Sequence, residues 1–258
     1  MDESAFRTAV EVLTVCWSRF AQNEAPPSEH SSLILSIAEK LGAGELKTSE
    51  SDPKNNAPNR VVTIFDRISR GQEKVAVPSY LPLQPLSSAE SSIFPSDRMA
   101  AKDDTAAVQQ LKAKINAAFQ NPEQDSATYL EQVLSSLRQN AWCLRAPGYP
   151  QPCDVSFYDH VRISAAIAVC LAELSEEKLQ EIDAALKSSS GGRERPANQQ
   201  NEALSTPVGI LIGGDVSGIQ SFIYTINGDK AAKALRGRSF YLQVLTEVLV
   251  RAVLEELN

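Results

Sequence analysis

The residues most able to do chemistry lie between Val208 and Tyr224. A short apolar run at 208–212 is followed by two glycines, then by Asp215 and Ser217-Gly218. Because the run is short and flanked by chain breakers, we predict a buried β-strand that ends just before Asp215. Ligands of open α/β sheets gather at such strand ends, where backbone N–H groups face an anion. The spacing suits a phosphate or a metal-bound nucleotide, and a purely structural strand-to-helix turn is the alternative.

Two common phosphate-binding motifs do not match this turn. Gly213 and Gly218 have the spacing of the P-loop glycines, but Ile219 and Gln220 occupy the positions of its Lys and Ser/Thr. Without the Lys, the loop has no point charge for terminal phosphates. The dinucleotide pattern G-x-G-x-x-G is also not met.

Four blocks of sequence resemble a known family. Residues 214–224 (Gly-Asp-Val-Ser-Gly-Ile-Gln-Ser-Phe-Ile-Tyr) and 234–242 (Ala-Leu-Arg-Gly-Arg-Ser-Phe-Tyr-Leu) are similar to the opening of the first palm domain in the large subunit of type III CRISPR effector complexes. Residues 154–168 resemble the segment that precedes this palm in the subtype A branch. Residues 64–71 resemble the last conserved patch of the family's N-terminal HD nuclease domain. The resemblance touches most of the chain and is dense from Asp154 onward.

The resemblance implies a mostly α-helical chain with three parts. We expect a degenerate, helical HD-like domain over residues 1–187, a flexible linker over 188–207, and the start of the first palm domain over 208–258. The palm is an α/β domain of ferredoxin-like, nucleotidyl-cyclase type, and this chain holds only its first strand and long helix. A single strand leaves its hydrogen-bonding groups unpaired, so further strands must come from the same polypeptide or a second chain.

The resemblance also implies a function. The complete subunit binds ATP with Mg²⁺ or Mn²⁺ and synthesises cyclic oligoadenylates when the complex recognises target RNA. Its catalytic Gly-Gly-Asp-Asp lies in a second palm that this chain lacks, so we expect no catalytic residue and no cofactor held by this chain alone. The first palm offers an ATP-binding surface, for which the matching residues here are Asp215, Ser217, Gly218, Gln220 and Arg238.

The nuclease centre of the family is degenerate in this sequence. That centre binds metal through several His and Asp residues, including an adjacent His-Asp pair. This sequence has no His-Asp dipeptide, and residues 15–19, where the resemblance places it, read Val-Cys-Trp-Ser-Arg. His30 and Asp66 are the remnants, and two ligands are too few for a catalytic metal. We therefore predict no metal site and loss of single-strand DNase activity.

Two further polar groups have a structural and a functional interpretation. Asp159-His160 lies on the first turn of a helix that Ser156 caps, so Asp159 can satisfy free N–H groups while His160 packs or faces solvent. An interdomain or ligand contact is the alternative. A basic cluster at the start of the last helix is either a solvated face or a set of phosphate or interdomain contacts; it comprises Lys230, Lys233, Arg236 and Arg238.

Helical periodicity predicts the elements that position these groups. Amphipathic helices are predicted over 5–20, 33–41, 59–70, 105–119 and 127–139, then after Ser156, around 179–186 and over Lys230–Leu257. Loops are predicted over 42–58 and 72–99. The last helix is apolar around much of its circumference and therefore needs to be covered on more than one side.

Composition excludes several classes of protein. With 258 residues and a net charge of −7, the chain is a poor non-specific binder of nucleic acid. Its four cysteines form no Cys-x-x-Cys pair, and with two histidines they make a zinc module untenable. No run approaches membrane-spanning length and no leader pattern begins the chain, so we expect the cytoplasm of a prokaryote.

The expected partners follow from the resemblance. They are the remaining palm domains, the other subunits of a type III effector, and guide and target RNA held through the complex, with no membrane. The alternative function is a non-catalytic scaffold in the same complex, either a split-gene half or a decayed paralogue. A free-standing nucleotide-binding domain is a third interpretation.

Overall fold

The structure is a computed structural model that describes residues 3–21, 29–43, 59–67, 79–95, 104–120, 125–149, 152–189, 205, 207–224 and 231–257. Two compact units are present: the helical body, Asp2–Gly209, and the C-terminal unit, Ile210–Asn258. Within the described ranges, isolated β-bridges occur but no strand. The prediction of a mostly helical chain is confirmed. Most of the predicted linker at 188–207 lies outside the described residues.

The helices follow the predicted periodicity closely. The helical body contains α1 (Glu3–Ala21), α2 (Glu29–Ala43), α3 (Glu90–Ile93), α4 (Thr105–Ala118), α5 (Ser126–Ala141), α6 (Phe157–Leu171) and α7 (Glu176–Ser189). The C-terminal unit contains α8 (Ile219–Tyr224) and α9 (Ala231–Leu257). Within the described residues, no helix combines the length and the apolarity that crossing a bilayer requires.

The centre of the helical body is α6. It packs against α1, α2 and α5, while α7 packs on α2 and α4 packs on α5. Apolar side chains at helical spacing meet between these helices, and removing them from water stabilises the arrangement by about 25 cal/mol per Å². The largest fully buried side chains are Leu13, Leu35, Ile37, Leu111, Ile115, Leu137, Phe157, Leu171 and Leu179.

A capping box fixes the start of α6. Ser156 Oγ accepts a hydrogen bond from the backbone N–H of Asp159 at 3.0 Å and donates to Asp159 Oδ2 at 2.8 Å. The cap satisfies an N–H group that has no partner inside the helix. Ser156 therefore caps α6 as predicted, while the Asp159 carboxylate accepts the Ser156 hydroxyl and not a backbone N–H group in this bond.

The predicted helix over 59–70 is wrong. Residues 59–63 are extended and only Ile64–Arg67 forms a single 3₁₀ turn. The β-branched run at 61–63 favours extended backbone. Val61 and Val62 donate their N–H groups to the carbonyls of Cys143 and Cys153, at 3.0 and 2.9 Å. These long-range bonds replace the helix.

The predicted buried strand at Val208–Ile212 is also not formed. Residues 207–216 have no regular structure, and Ile210, Leu211 and Ile212 are 83%, 100% and 54% exposed. The segment has no neighbouring strand in the described part of the chain, and a strand without a neighbour leaves its ladder groups unpaired. By contrast, α9 forms over almost the predicted range.

Candidate functional site

The glycine-rich turn connects the extended segment to α8. Gly218 adopts a φ of +78°, a left-handed conformation that L-residues rarely take. Its carbonyl accepts the N–H of Phe222 at 3.0 Å, which makes it the first acceptor of α8. Gly218 is therefore required by the backbone of the turn, whichever ligand the turn faces.

A groove of about 450 Å³ lies between the extended segment and α9. Its walls are apolar side chains of both elements, and Asp215 is its single charged group. The lining residues are Ile210, Ile212, Gly214, Asp215, Val216, Thr246, Leu249, Val250, Val253 and Leu254. The groove therefore offers a hydrophobic surface with one carboxylate at its edge.

The residues that the sequence grouped as nucleotide-binding lie in different surroundings in the structure. Asp215 borders the groove, whereas Ser217, Gly218 and Gln220 are exposed on the turn and the first turn of α8. Their backbone and hydroxyl groups face solvent and can meet a ligand held from outside. Their role in binding a nucleotide stays a prediction.

Arg238 has a structural task in the C-terminal unit. Its Nη1 donates to the carbonyl of Phe222, and its guanidinium lies over the Phe222 ring, 5.1 Å from the centroid. Phe222 also packs against Tyr241, with ring centroids 5.9 Å apart. These contacts bind α8 to α9, which makes Arg238 a positioning residue for the turn. Of the other predicted basic residues, Lys233 and Arg236 are exposed and Lys230 lies outside the described residues.

The remnants of the nuclease centre are placed only in part. His30 belongs to α2 and Asp66 to the 3₁₀ turn, but their side chains lie outside the described part of the structure. Among the side chains that are described, no three His, Cys, Asp or Glu residues come together as a metal-binding group.

His160 is a packed residue of the helical body. It is 8% exposed, its Nδ1 lies 3.1 Å from the hydroxyl of Tyr149, and the two rings meet edge to face. Burial raises the pKa of Tyr149, so this phenol stays protonated at neutral pH. The interpretation of His160 as a packing residue is confirmed.

A second cavity, the helical-body cavity, was not foreseen from the sequence. It has a volume of about 330 Å³ and lies among α1, α2, α6 and the loop before α6. Its lining comes from residues far apart in sequence, and it includes Cys16 and Arg19 of the segment 15–19, where the resemblance placed the family's His-Asp pair. The lining residues are Cys16, Arg19, Phe20, Glu39, Ala43, Pro147, Gly148, Tyr149, Phe157, His160 and Val161.

Comparison with known families matches the C-terminal unit. The model "Csm1 subunit domain B" matches residues 208–258. This range contains the turn, the groove and both helices of the C-terminal unit. No solved structure matches the chain.

Comparison with individual proteins extends over most of the chain. The relatives are named CRISPR system single-strand-specific deoxyribonuclease Cas10/Csm1 (subtype III-A). The protein of Methanocaldococcus jannaschii is 28% identical over 246 residues, which cover 87% of this chain and 29% of that protein. The Enterococcus italicus protein is 41% identical over 109 residues, covering 42% of this chain and 14% of that protein. The Mycobacterium tuberculosis protein is 33% identical over 130 residues, covering 50% and 15%.

The chain therefore spans less than a third of the length of these curated relatives. The matched portion includes both the helical body and the C-terminal unit in the Methanocaldococcus relative, since it covers 87% of the chain. The domain match and these relatives agree with the resemblance of the sequence blocks. The chain is similar to the Cas10/Csm1 proteins of subtype III-A, in agreement with the resemblance to the large subunit of type III CRISPR effector complexes, and its partial coverage of these relatives fits an N-terminal portion.

Proposed function

We propose that this chain acts as the N-terminal portion of the large subunit in a type III CRISPR RNA-guided antiviral complex. In this proposal, the C-terminal unit is the first strand and helix of a palm domain, and the helical body is an HD-like domain without DNase activity. The complete subunit binds ATP with Mg²⁺ or Mn²⁺ and synthesises cyclic oligoadenylates when guide RNA pairs with target RNA.

The observation that carries the proposal is the exposed apolar surface of the C-terminal unit. Leu211 is fully exposed, and Phe240, Val248, Val250 and Leu254 are 67%, 53%, 60% and 44% exposed. Soluble proteins rarely leave such a continuous apolar surface uncovered. A segment that has no β-bridge in the described part of the chain and lies beside an apolar helix is a place where an incoming β-strand can pair. The remaining strands of a palm sheet are the proposed covering.

The described residues fit part of an ATP–metal group. Asp215 supplies one carboxylate for a divalent cation, and Ser217 with the turn amides supplies donors for phosphate oxygens. The groove contributes no cation, and the guanidinium of Arg238 already contacts Phe222. A second carboxylate and a phosphate-binding cation are not among the groove's lining residues, and we propose that they come from outside the groove. When bound, ATP supplies both the nucleophile and the leaving group of nucleotidyl transfer.

The relatives are named single-strand-specific deoxyribonucleases, and we propose that this chain has lost that activity. A hydrolytic metal site needs about three protein ligands, whereas this sequence has no His-Asp dipeptide and keeps only His30 and Asp66 as remnants. We expect no metal-dependent cleavage of single-stranded DNA by the purified chain. Cleavage that Asp66→Ala abolishes would contradict this part of the proposal.

Co-purification tests the docking of the missing strands. Leu211→Asp places a charge on a side chain that is 100% exposed in this chain, so it should leave the chain folded while blocking its association with a polypeptide that carries the remaining palm domains. The matched control is Ile64→Asp, on a side chain that is 57% exposed in the helical body. Equal recovery of the partner with both variants would contradict a docking role for the C-terminal unit.

Cyclic-oligoadenylate synthesis by the reconstituted complex tests the site itself. We expect Asp215→Ala to reduce product formation at least tenfold, because the carboxylate then no longer contributes to the metal-bound nucleotide. The control is Glu131→Ala, which removes an exposed carboxylate from α5. Undiminished synthesis by the Asp215 variant would remove Asp215 from the active surface.

A non-catalytic scaffold in the same complex is the second candidate. It is favoured by the sequence, which contains neither the Gly-Gly-Asp-Asp motif nor a His-Asp dipeptide. In that case the complex assembles through the C-terminal unit, but Asp215→Ala leaves its nucleotide chemistry unchanged.

A further inference from the structure

The helical-body cavity carries a carboxylate and a guanidinium side by side. Arg19 Nη1 lies 3.5 Å from Glu39 Oε2, and the two side chains are 47% and 23% exposed. An ion pair this long and this accessible to solvent contributes only about 0–1 kcal/mol. A ligand that satisfies both groups can therefore replace the pair at little cost.

Cys16 fixes the orientation of the Glu39 carboxylate. The buried Cys16 Sγ donates to Glu39 Oε1 at 3.7 Å. Burial and the neighbouring carboxylate raise the pKa of the Cys16 thiol far above neutrality, so it remains a hydrogen-bond donor. One oxygen of Glu39 is thus held from the protein side, while the other faces Arg19.

Aromatic side chains form much of the cavity wall. Phe157 is 1% exposed, Tyr149 is 8% exposed, and Phe20 is half-buried beside them. Trp17 holds two of these rings in place, with centroids 5.6 Å from Phe20 and 5.7 Å from Phe157. Phe157 and Tyr149 are largely covered, so the half-buried Phe20 ring is the aromatic surface that a flat heterocycle can contact.

The chemistry of the two charged groups favours one type of base. A carboxylate has two oxygens that only accept hydrogen bonds and a guanidinium only donates them, so the best-matched ligand edge has two adjacent donors beside one acceptor. Guanine does so, with N1–H and N2–H₂ next to O6. We propose that the helical-body cavity binds a guanine base, with Glu39 accepting from N1–H and N2–H₂ and Arg19 donating to O6.

Other small ligands fit the cavity less well. The negative charge of Glu39 repels a free phosphate, and the lining contains one guanidinium to attract it. An amino-acid zwitterion would bring two full charges out of water into a partly closed cavity, which costs more than burying a neutral base. The volume of about 330 Å³ is at the lower end of the range for small-molecule sites, about 300–1,000 Å³, and accommodates a base with its sugar.

Isothermal titration calorimetry on the full chain tests the proposal with uncharged nucleosides. We expect guanosine to bind, with adenosine and uridine weaker by about 5- to 150-fold, the discrimination that one bidentate pair provides. Glu39→Gln should reduce guanosine affinity by a similar factor, because the amide offers one acceptor oxygen in place of two. The matched control is Glu131→Gln, on the exposed face of α5, which should bind as the wild type does.

Three outcomes would overturn the proposal: guanosine binding no tighter than uridine, guanosine binding unchanged in Glu39→Gln, or tighter binding of phenylalanine than of guanosine. If Glu39→Gln does not fold by circular dichroism, Arg19→Leu decides, since this half-exposed side chain is not part of the core. Titration with a single-stranded oligothymidylate of ten nucleotides, with one guanine at its centre, then shows whether the guanine base comes from nucleic acid or from a free nucleoside. Tighter binding than guanosine indicates single-stranded nucleic acid, and equal binding indicates a free nucleoside. These experiments need no partner subunit, so they succeed or fail independently of the proposed palm assembly.

Discussion

The helical body and the C-terminal unit use the same apolar residue types in opposite ways. In the helical body, Leu13, Leu137 and Leu171 are fully buried between helices. In the C-terminal unit, Leu211 and Leu249 are 100% and 46% exposed. The helical body thus completes its core with its own chain, whereas the C-terminal unit leaves apolar side chains exposed. The difference locates the surface on which we propose that further strands dock.

Polar groups show the same contrast. The helical body pairs its buried charges internally: Arg60 holds Asp104 at 2.7 Å, with side chains only 13% and 7% exposed. In the C-terminal unit, Asp215 is exposed at the edge of an apolar groove. A carboxylate in that position is available to a ligand or a partner, while the buried carboxylates of Asp104 and Asp183 in the helical body are committed to ion pairs of the fold.

The largest expected effect comes from comparing a Leu→Ala substitution in the helical body with one in the C-terminal unit. Leu137→Ala should cost about 2–5 kcal/mol of unfolding free energy, because it removes a fully buried side chain and leaves a cavity. Leu249→Ala should change stability by no more than about 0.5 kcal/mol in this chain, since the side chain is 46% exposed. Urea unfolding followed by far-UV circular dichroism measures both. Equal costs would mean that the surface of α9 is covered within this chain.

The next largest effect concerns the buried carboxylate of Asp183. It accepts from Lys40 Nζ at 2.8 Å and Lys187 Nζ at 2.6 Å. Burial alone raises its pKa, but these two lysines outweigh burial and lower the pKa below its usual value. At pH 7, Asp183→Asn should cost about 1–3 kcal/mol, because two charge-assisted hydrogen bonds are weakened.

The pH dependence of that cost follows from the sign of the shift. A lowered folded-state pKa gives stability that is present above the unfolded value, about 3.9, and is lost as the pH falls through the folded value. The difference between wild type and Asp183→Asn should therefore shrink below about pH 4. Glu181→Gln is the control, because its carboxylate is 59% exposed. A stability difference between wild type and Asp183→Asn that grows as the pH falls would contradict a lowered pKa of Asp183.

A smaller, local effect is expected at the turn of the C-terminal unit. Gly218→Ala forces a side chain into a φ of +78°, at a cost of about 1–2 kcal/mol. Hydrogen exchange of the Phe222 amide, which bonds to Gly218, should then accelerate by about 5- to 30-fold. Gly213→Ala is the matched control, because its φ is not positive and no atom lies within 4 Å of the added carbon. Equal acceleration of exchange in both variants would mean that the stability of the turn does not depend on the left-handed conformation of Gly218.

The smallest effect is expected for the Arg238–Phe222 contact. Arg238→Ala should destabilise the packing of α8 on α9 by about 0.5–1 kcal/mol, the range for an exposed cation–π pair. Arg236→Ala, on an exposed side chain of the same helix, should have little effect. Hydrogen exchange of α8 in the chain alone distinguishes them. If the two variants behave alike, Arg238 does not position α8.

The limits of sequence-based prediction are clearest where two segments of similar appearance fold differently. The helical spacing of apolar residues in α1, α2, α4, α5 and α9 predicts helices correctly, because an amphipathic pattern is contained within a single segment of sequence. Residues 59–70 have a similar apolar spacing, yet 59–63 is extended because backbone partners at Cys143 and Cys153 are available. Those partners are more than 80 positions away in sequence, so no local pattern could reveal them.

The candidate sites show the same division. Gly218 and the capping pair Ser156–Asp159 are local features, and the sequence identifies them through turn and cap chemistry. The helical-body cavity depends on Arg19, Glu39 and Tyr149, which only the packing of α1, α2 and the loop before α6 brings together. The contact of Arg238 with Phe222 could not be predicted from the sequence either, because it joins two separate helices.

The sequence by itself determined the family resemblance, the helical content and the apolar character of the final helix, because each depends on residue order within one segment. Tertiary structure alone decided which apolar faces are covered, where the extended segment at 59–63 finds its hydrogen bonds, and which polar side chains meet in a cavity. The physical reason is that burial and hydrogen-bond satisfaction are properties of neighbours in space. The exposed C-terminal unit follows the same rule, since its segments have the pattern of a sheet and helix but no neighbouring strand among the described residues.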